Sequence, residues 1–224
     1  MPLNVSKLAK VLKTINRVQT PNVFNASLPI KIEVKKEINP ITFLIKLGNK
    51  EVETKSKIPL IVGKKYFAQI KELDSSIQIS NLKEYPKILE QLDKIKTKGL
   101  DSQNKEEVLK HLANAKTKEE FLFFTNILLA LEKKIHHLVI AEKRKALMQY
   151  KYSKNKIKFY AVFSHLGELE GELSLNDLII YSPYLSTIAL INRYKDELPF
   201  NVTTIKKEVK PIYQFSNSLL DLKV

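Results

Sequence analysis

The stretch Phe159–Pro199, "FYAVFSHLGELEGELSLNDLIIYSPYLSTIALINRYKDELP", decides the fold of this 224-residue chain. Ile157, Phe159, Ala161 and Phe163 recur at period two, the repeat of a strand with one buried face, and Tyr160 and Val162 point the other way. Leu166-Gly167 breaks the strand, and alternation resumes with Leu169 and Leu173 against Glu168, Glu170 and Glu172. Asn176-Asp177 is turn chemistry, and Leu178 to Tyr181 returns as a third strand. Ser182-Pro183 reads as a helix cap with proline at the first helical position. Leu185, Ile188, Ala189 and Ile191 then face the sheet, Pro199 stops the helix, and Phe200 and Val202 begin a last strand. Strands with a packed helix predict a compact α+β unit.

Working upstream, Leu138–Ala141 and Leu147–Tyr152 read as two further strands, the first open to being a continuation of the preceding helix, with a turn at Lys154-Asn155. Between Asn81 and Lys145 the period is helical. Tyr85–Ile95 predicts a short helix, Asn104-Lys-Glu-Glu107 caps a second carrying Val108, Leu109 and Leu112, and Thr117-Lys-Glu-Glu120 caps a third. The apolar face of that third helix is read as Phe121, Phe124, Leu128, Leu129 and Leu131.

Before these helices the period is two again. Ile30, Ile32 and Val34 form one strand. Ile41, Phe43, Ile45 and Leu47 form a second, and Gly48-Asn49 turns into a third. Ile58-Pro59-Leu60 interrupts the sheet; Tyr66, Ala68 and Ile70 give a fourth strand, and Ile77 with Ile79 a short last one. Short strands so close in sequence predict a small antiparallel barrel, because closure hides their edges. Leu8, Val11, Leu12, Ile15 and Val18 place an amphipathic helix before it, capped at Asn4 or Ser6 and ended by Thr20-Pro21-Asn22. The expected organisation is a helix over 1–22, a barrel over 23–82, a helical connector over 83–137 and an α+β domain over 138–224.

Composition narrows the chemistry. No apolar run approaches the roughly 20 residues that span a bilayer, and the charged, interrupted start is unlike a secretory signal, so no membrane span and a cytoplasmic protein are expected. Cysteine is absent, which removes disulfides and thiolates. The histidines are His111, His136, His137 and His165, and no two stand at a helical ligand spacing, so no metal is expected. Five glycines form no phosphate loop, so no cofactor is expected either. Glu168, Glu170 and Glu172 line one strand face, but acids alternating with leucines are what a half-exposed strand needs, and they are read as its wet face. No set of nucleophile, base and oxyanion donors can be assembled, so no catalytic residue is assigned.

The net charge of +14 invites a nucleic-acid reading. Only Arg17, Arg144 and Arg193 are arginine among 38 basic residues, and the lysines are scattered. The phrase "VGKKYFAQIKELDSSIQI" (62–79) is loosely similar to the opening strands of oligonucleotide-binding barrels, with Phe43, Tyr66 and Phe67 as available aromatics.

A more extended resemblance lies at the C-terminal end. The order strand, "HLGELEGEL", turn, "LIIYSPY", helix, "DELPFNVTTI" resembles the C-terminal domain of the flagellar hook-length control protein family over about 60 residues. The stretch "FLIKLGNKEVETKSKIPLIVGKKYFAQI" (43–70) is similar to a small β domain upstream in some of its members. The resemblance implies binding rather than catalysis: contact with the cytoplasmic domain of the flagellar export gate, switching export between substrates. It places the partner contact at Leu166, Gly167, Leu169 and Leu173, through that Leu-Gly region or the sheet edge, and opens export through the flagellar apparatus as a destination beyond the cytoplasm. The alternative expectation is a single-stranded nucleic-acid binder using the barrel and its lysines.

Overall fold

The structure is a computed structural model and describes residues 5–17, 28–73, 76–97, 99–141, 144–216 and 218. It is α+β: an N-terminal helix, a closed five-stranded barrel, further helices and a seven-stranded sheet. The chain divides into two compact units. One comprises Gln19–Tyr85 with Ser164–Gly167; the other comprises Met1–Val18, Pro86–Phe163 and Glu168–Val224.

The barrel runs β1 (Ile30–Asn39), β2 (Thr42–Leu47), β3 (Lys50–Lys55), β4 (Lys65–Leu73) and β5 (Ser76–Glu84), in the spatial order β1-β2-β3-β5-β4, with β1 closing on β4. All pairs are antiparallel except β3 with β5, which run parallel. The alternating residues Ile32, Val34, Phe43, Ile45, Leu47, Ala68 and Ile70 fill the interior, joined by Ile79 and by Leu60 from the 56–64 loop. Gly48 sits at φ +60°, the first central position of the β2–β3 turn, where a residue without Cβ is unstrained. The last strand is longer than Ile77 and Ile79 suggest: Asn81 at φ +48° absorbs a register shift, and pairing resumes to Glu84.

The larger unit holds α1 (Val5–Arg17), α2 (Lys87–Lys94), β6 (Leu100–Asp101), α3 (Lys105–Ala113), α4 (Lys118–Glu132), β7 (His136–Ala141), β8 (Lys145–Ser153), β9 (Lys156–Phe163), β10 (Gly167–Leu173), β11 (Asp177–Ser182), α5 (Leu185–Arg193) and β12 (Asn201–Lys206). Its sheet has the order β12-β11-β10-β9-β8-β7-β6. α5 crosses over between β11 and β12, which run parallel, and packs on both. The helices expected to form a connector belong to this unit: β6 pairs with β7, and α2 and α4 pack on β8 and β7. α1 belongs to it too, burying Leu8, Val11, Leu12 and Ile15 and donating from Asn16 Nδ2 to the Arg144 carbonyl at 3.0 Å. The predicted cap at Asn4 and the stop at Thr20-Pro21-Asn22 lie outside the described residues.

Two helix starts follow the sequence reading. Asn104 accepts from Glu107 N at 3.3 Å and Thr117 from Glu120 N at 3.1 Å. The buried face of α4 differs from expectation: Leu122, Phe123, Phe124, Ile127 and Ala130 are buried with Asn126, while Phe121 is exposed, because α4 packs against α2, α3 and β7 on several sides. α5 also differs. It starts at Leu185 and ends at Arg193, and it buries Thr187 and Ile191 while Leu185 and Ala189 are exposed. Ser182 is not its cap; its hydroxyl accepts from Tyr184 N and donates to the Glu168 carbonyl. No helix of the described residues is long and apolar enough to cross a membrane.

Candidate docking surface

The four residues that carry the expected partner contact are interior. Leu166 and Leu169 are 0% exposed and Leu173 is 1% exposed. Gly167 is buried at φ +74°, a left-handed conformation that lets the chain break sharply into β10. Side chains this deep offer a partner no surface. Gly171 shows how tightly that inner side is packed: a Cβ there would lie 2.4 Å from the Ile179 carbonyl oxygen and 2.5 Å from Phe159 Cζ.

The outward side of β10 carries the three glutamates, and only two are wet. Glu168 is 4% exposed and accepts a 2.7 Å hydrogen bond from the Tyr160 hydroxyl, so the uniform solvated face read from alternation is corrected at this position. Period two fixes the face a residue points to, not the depth of what covers that face. Burial, with the Glu168 carboxylate beside it, raises the Tyr160 phenol well above its usual range. Glu170 pairs with Lys207 at 3.7 Å, and Lys207 Nζ lies 4.6 Å from the centre of the Tyr181 ring. Glu172 is bonded by Lys156 and lies 3.4 Å from Lys158, and the Lys156 bond chiefly holds its carboxyl below the ordinary value. Among the described residues no group of three histidine or acidic side chains is placed to hold a metal.

This half-wet face ends at an edge. β12 pairs with β11 in register from Asp177↔Asn201 to Ser182↔Lys206, and among the described residues no strand pairs with its other side. Asn201, Thr203, Ile205 and Lys206 are exposed. The strand is anchored at both ends, by Asn201 N to the Asn176 carbonyl at 2.8 Å and Lys207 N to the Ser182 carbonyl at 3.0 Å. Thr204 Oγ1 donates to Asn192 Oδ1 of α5 at 2.9 Å. An open, anchored strand of six residues presents unpaired backbone donors and acceptors in a fixed row, a template for an added strand. Lys206 and Lys207 set a positive charge at its end.

Sequence reasoning missed a second set of polar residues, which fastens the chain after β12. Gln149, fully buried in β8, accepts from Tyr213 N at 3.0 Å and donates to the Tyr213 carbonyl at 2.8 Å. Asn126 of α4 makes the same two-way exchange with Ser216, at 2.9 and 3.1 Å, and Gln91 of α2 donates to the Ser216 carbonyl at 2.8 Å. A glutamine amid the apolar residues of "ALMQY" and an asparagine amid those of "FFTNILL" are the signals that mark them. No family model, no curated protein and no solved structure matches the chain.

Proposed function

We propose that this chain is a non-enzymatic, hook-length-control-like protein that binds a flagellar export component, the cytoplasmic domain of the export gate, through its C-terminal sheet and so influences the switch between export substrates. The observation that carries the reading is the open β12 edge, lying in the segment whose strand, Leu-Gly break, hairpin, helix and final strand resemble that family. The mechanism is strand addition. An extended segment of the partner pairs with β12 through main-chain hydrogen bonds, Ile205 and Tyr181 meet its side chains, and Lys206 and Lys207 favour acidic residues in it. The buried leucines act indirectly, by fixing the hairpin on which the edge is built.

The test is calorimetric titration of the full chain with the purified cytoplasmic domain of an export gate. Asn201 N and Lys207 N donate toward β11, so the alternate residue Val202 turns its N–H to the open side. Val202→Pro removes that edge donor and Ile205→Asp removes the apolar contact; each is expected to weaken binding about tenfold or more with the fold retained. Unchanged affinity in both variants would remove β12 as the contact, and no binding by the wild-type chain would remove the partner.

One observation favours a second reading. A five-stranded barrel of order β1-β2-β3-β5-β4 is the Greek-key plan on which oligonucleotide-binding barrels are built. Its aromatics do not support stacking: Phe43 and Phe67 are buried, Tyr85 lies 4.8 Å from Phe67 ring to ring, and the half-buried Tyr66 hydroxyl accepts from Ile61 N. Titration with labelled single strands at low salt decides it; no binding there rejects it.

A further inference from the structure

We propose that one end of the barrel is a contact for anionic lipid surfaces. Ile38 near the end of β1 and Ile41 on the β1–β2 turn, with Ile58, Ile61 and Val62 on the 56–64 loop, are each 45% to 58% exposed. Hydrogen bonds place the two loops together. Ser56 N donates to the Ile41 carbonyl at 2.9 Å, and Gly63 N donates to the Val34 carbonyl of β1 at 2.8 Å. Ile41 and Ile58 therefore stand on adjoining loops, Ile38 precedes the turn, and Ile61 and Val62 follow on the same 56–64 loop where it meets β1, a concentration of exposed aliphatic side chains that isolated surface residues do not produce.

Three features fit a bilayer better than a protein partner. The tips are wholly aliphatic and carry none of the tryptophan, tyrosine or arginine anchors that dominate protein interfaces. Part of their backbone is satisfied internally: Ile41 N donates to Asn39 Oδ1, Ile58 N to Ser56 Oγ, Ile61 N to Tyr66 Oη and Lys64 N to the Ile61 carbonyl, while Pro40 and Pro59 carry no N–H. Each donor met in this way lowers the cost of seating a tip against the apolar side of a headgroup layer. Finally, Lys36, Lys55 and Lys57 are exposed at the same end: Lys55 pairs with Thr42 beside the turn, Lys36 with Leu44, and Lys57 precedes Ile58. Apolar tips inside a lysine collar combine shallow insertion with attraction to acidic headgroups.

The sequence has no tryptophan, so Ile41→Trp places a single reporter at the tip. The full-length variant is mixed with vesicles of phosphatidylcholine alone and with about one-third phosphatidylglycerol. Its emission is expected to shift to the blue and to be quenched by brominated lipid with the anionic vesicles only. In the otherwise wild-type chain, Ile41→Asp with Ile58→Asp is expected to lower anionic-vesicle binding about tenfold or more. Lys36→Glu with Lys57→Glu is expected to erase the preference for phosphatidylglycerol. Circular dichroism checks that each variant is folded, and Ile61→Asp replaces any that is not. Co-sedimentation with an unshifted emission would mean that lysines elsewhere hold the membrane, and would overturn the proposal. Absence of binding to anionic vesicles at low salt would overturn it too, leaving a protein partner as the occupant of these tips.

Discussion

The Tyr160 hydroxyl donates to Glu168 at 2.7 Å beneath the surface of the sheet, joining β9 to β10 by a side-chain bond as well as by their ladder. Because both groups are buried, removing the hydroxyl strips a donor from a carboxylate that water cannot reach. Tyr160→Phe is expected to lower unfolding free energy by about 1.5–3 kcal/mol. Glu168→Gln, whose amide still accepts the bond, is expected to cost clearly less. Urea denaturation of the two variants compares them directly; equal losses would contradict this account.

His137 gives the fold a pH dependence of known sign. It is fully buried in β7 with the Gln149 amide nitrogen 3.2 Å from Nε2, and desolvation brings its imidazole down from about 6.5 to about 3. Above pH 6.5 the ring is neutral whether folded or unfolded, and it adds no pH slope. Between 6.5 and 3 only the unfolded chain takes up the proton, so stability falls as pH falls, by up to about 1.4 kcal/mol per unit. His137→Gln is expected to flatten that part of the profile relative to wild type, read from urea midpoints between pH 7 and pH 4. Parallel profiles would show that the ring does not set the slope.

Gly171 is expected to tolerate no side chain. Alanine there must displace a backbone oxygen of β11 as well as the Phe159 ring, and a strand paired on both sides cannot retreat. The expected result for Gly171→Ala is a loss of about 3 kcal/mol or more, or failure to fold. A thermal melt with an unchanged midpoint would contradict it.

Two lysines hold positions that suit glycine. Lys134 at φ +59° ends α4, with its N–H bonded to the Leu131 carbonyl and Ile135 N bonded to the Ala130 carbonyl, the paired bonds of a Schellman end. Lys154 at φ +44° occupies, in the β8–β9 turn, the place that Gly48 takes in the β2–β3 turn. Lys134→Gly and Lys154→Gly are each expected to raise stability by about 1 kcal/mol, measured by denaturant unfolding. A loss of stability in either would point to a role of that ammonium group in the folded chain.

Local signals explain what was legible. The barrel strands, the Gly48-Asn49 turn, the Asn104 and Thr117 caps and the Phe159–Phe163 alternation all depend on neighbours within a few residues, and the sequence displays those neighbours. The burial of Glu168, Gln149 and Asn126 depends on partners far along the chain: Tyr213 lies 64 residues beyond Gln149, and Ser216 lies 90 beyond Asn126. Lys145, which donates to the Leu92, Asp93 and Ile95 carbonyls at the end of α2, sits about 50 residues from the helix it caps. The depth of the expected contact residues was hidden for the same reason. Leu166, Leu169 and Leu173 carry the pattern that resembles a family, but pattern leucines are where a core forms, and the accessible edge is the plain strand "NVTTIK".

The docking of α1 onto the larger unit has a consequence for how the chain assembles. Asn16 meets Arg144 across 128 residues, and the whole barrel is threaded between α1 and α2. With the barrel unfolded, bringing α1 home closes a loop of roughly 70 residues, an entropic cost of about 4 kcal/mol. A barrel that has already closed β1 onto β4 shortens that loop, so α1 docks more cheaply after the barrel forms than before. α1 is thus expected to settle on the larger unit only after the barrel has closed.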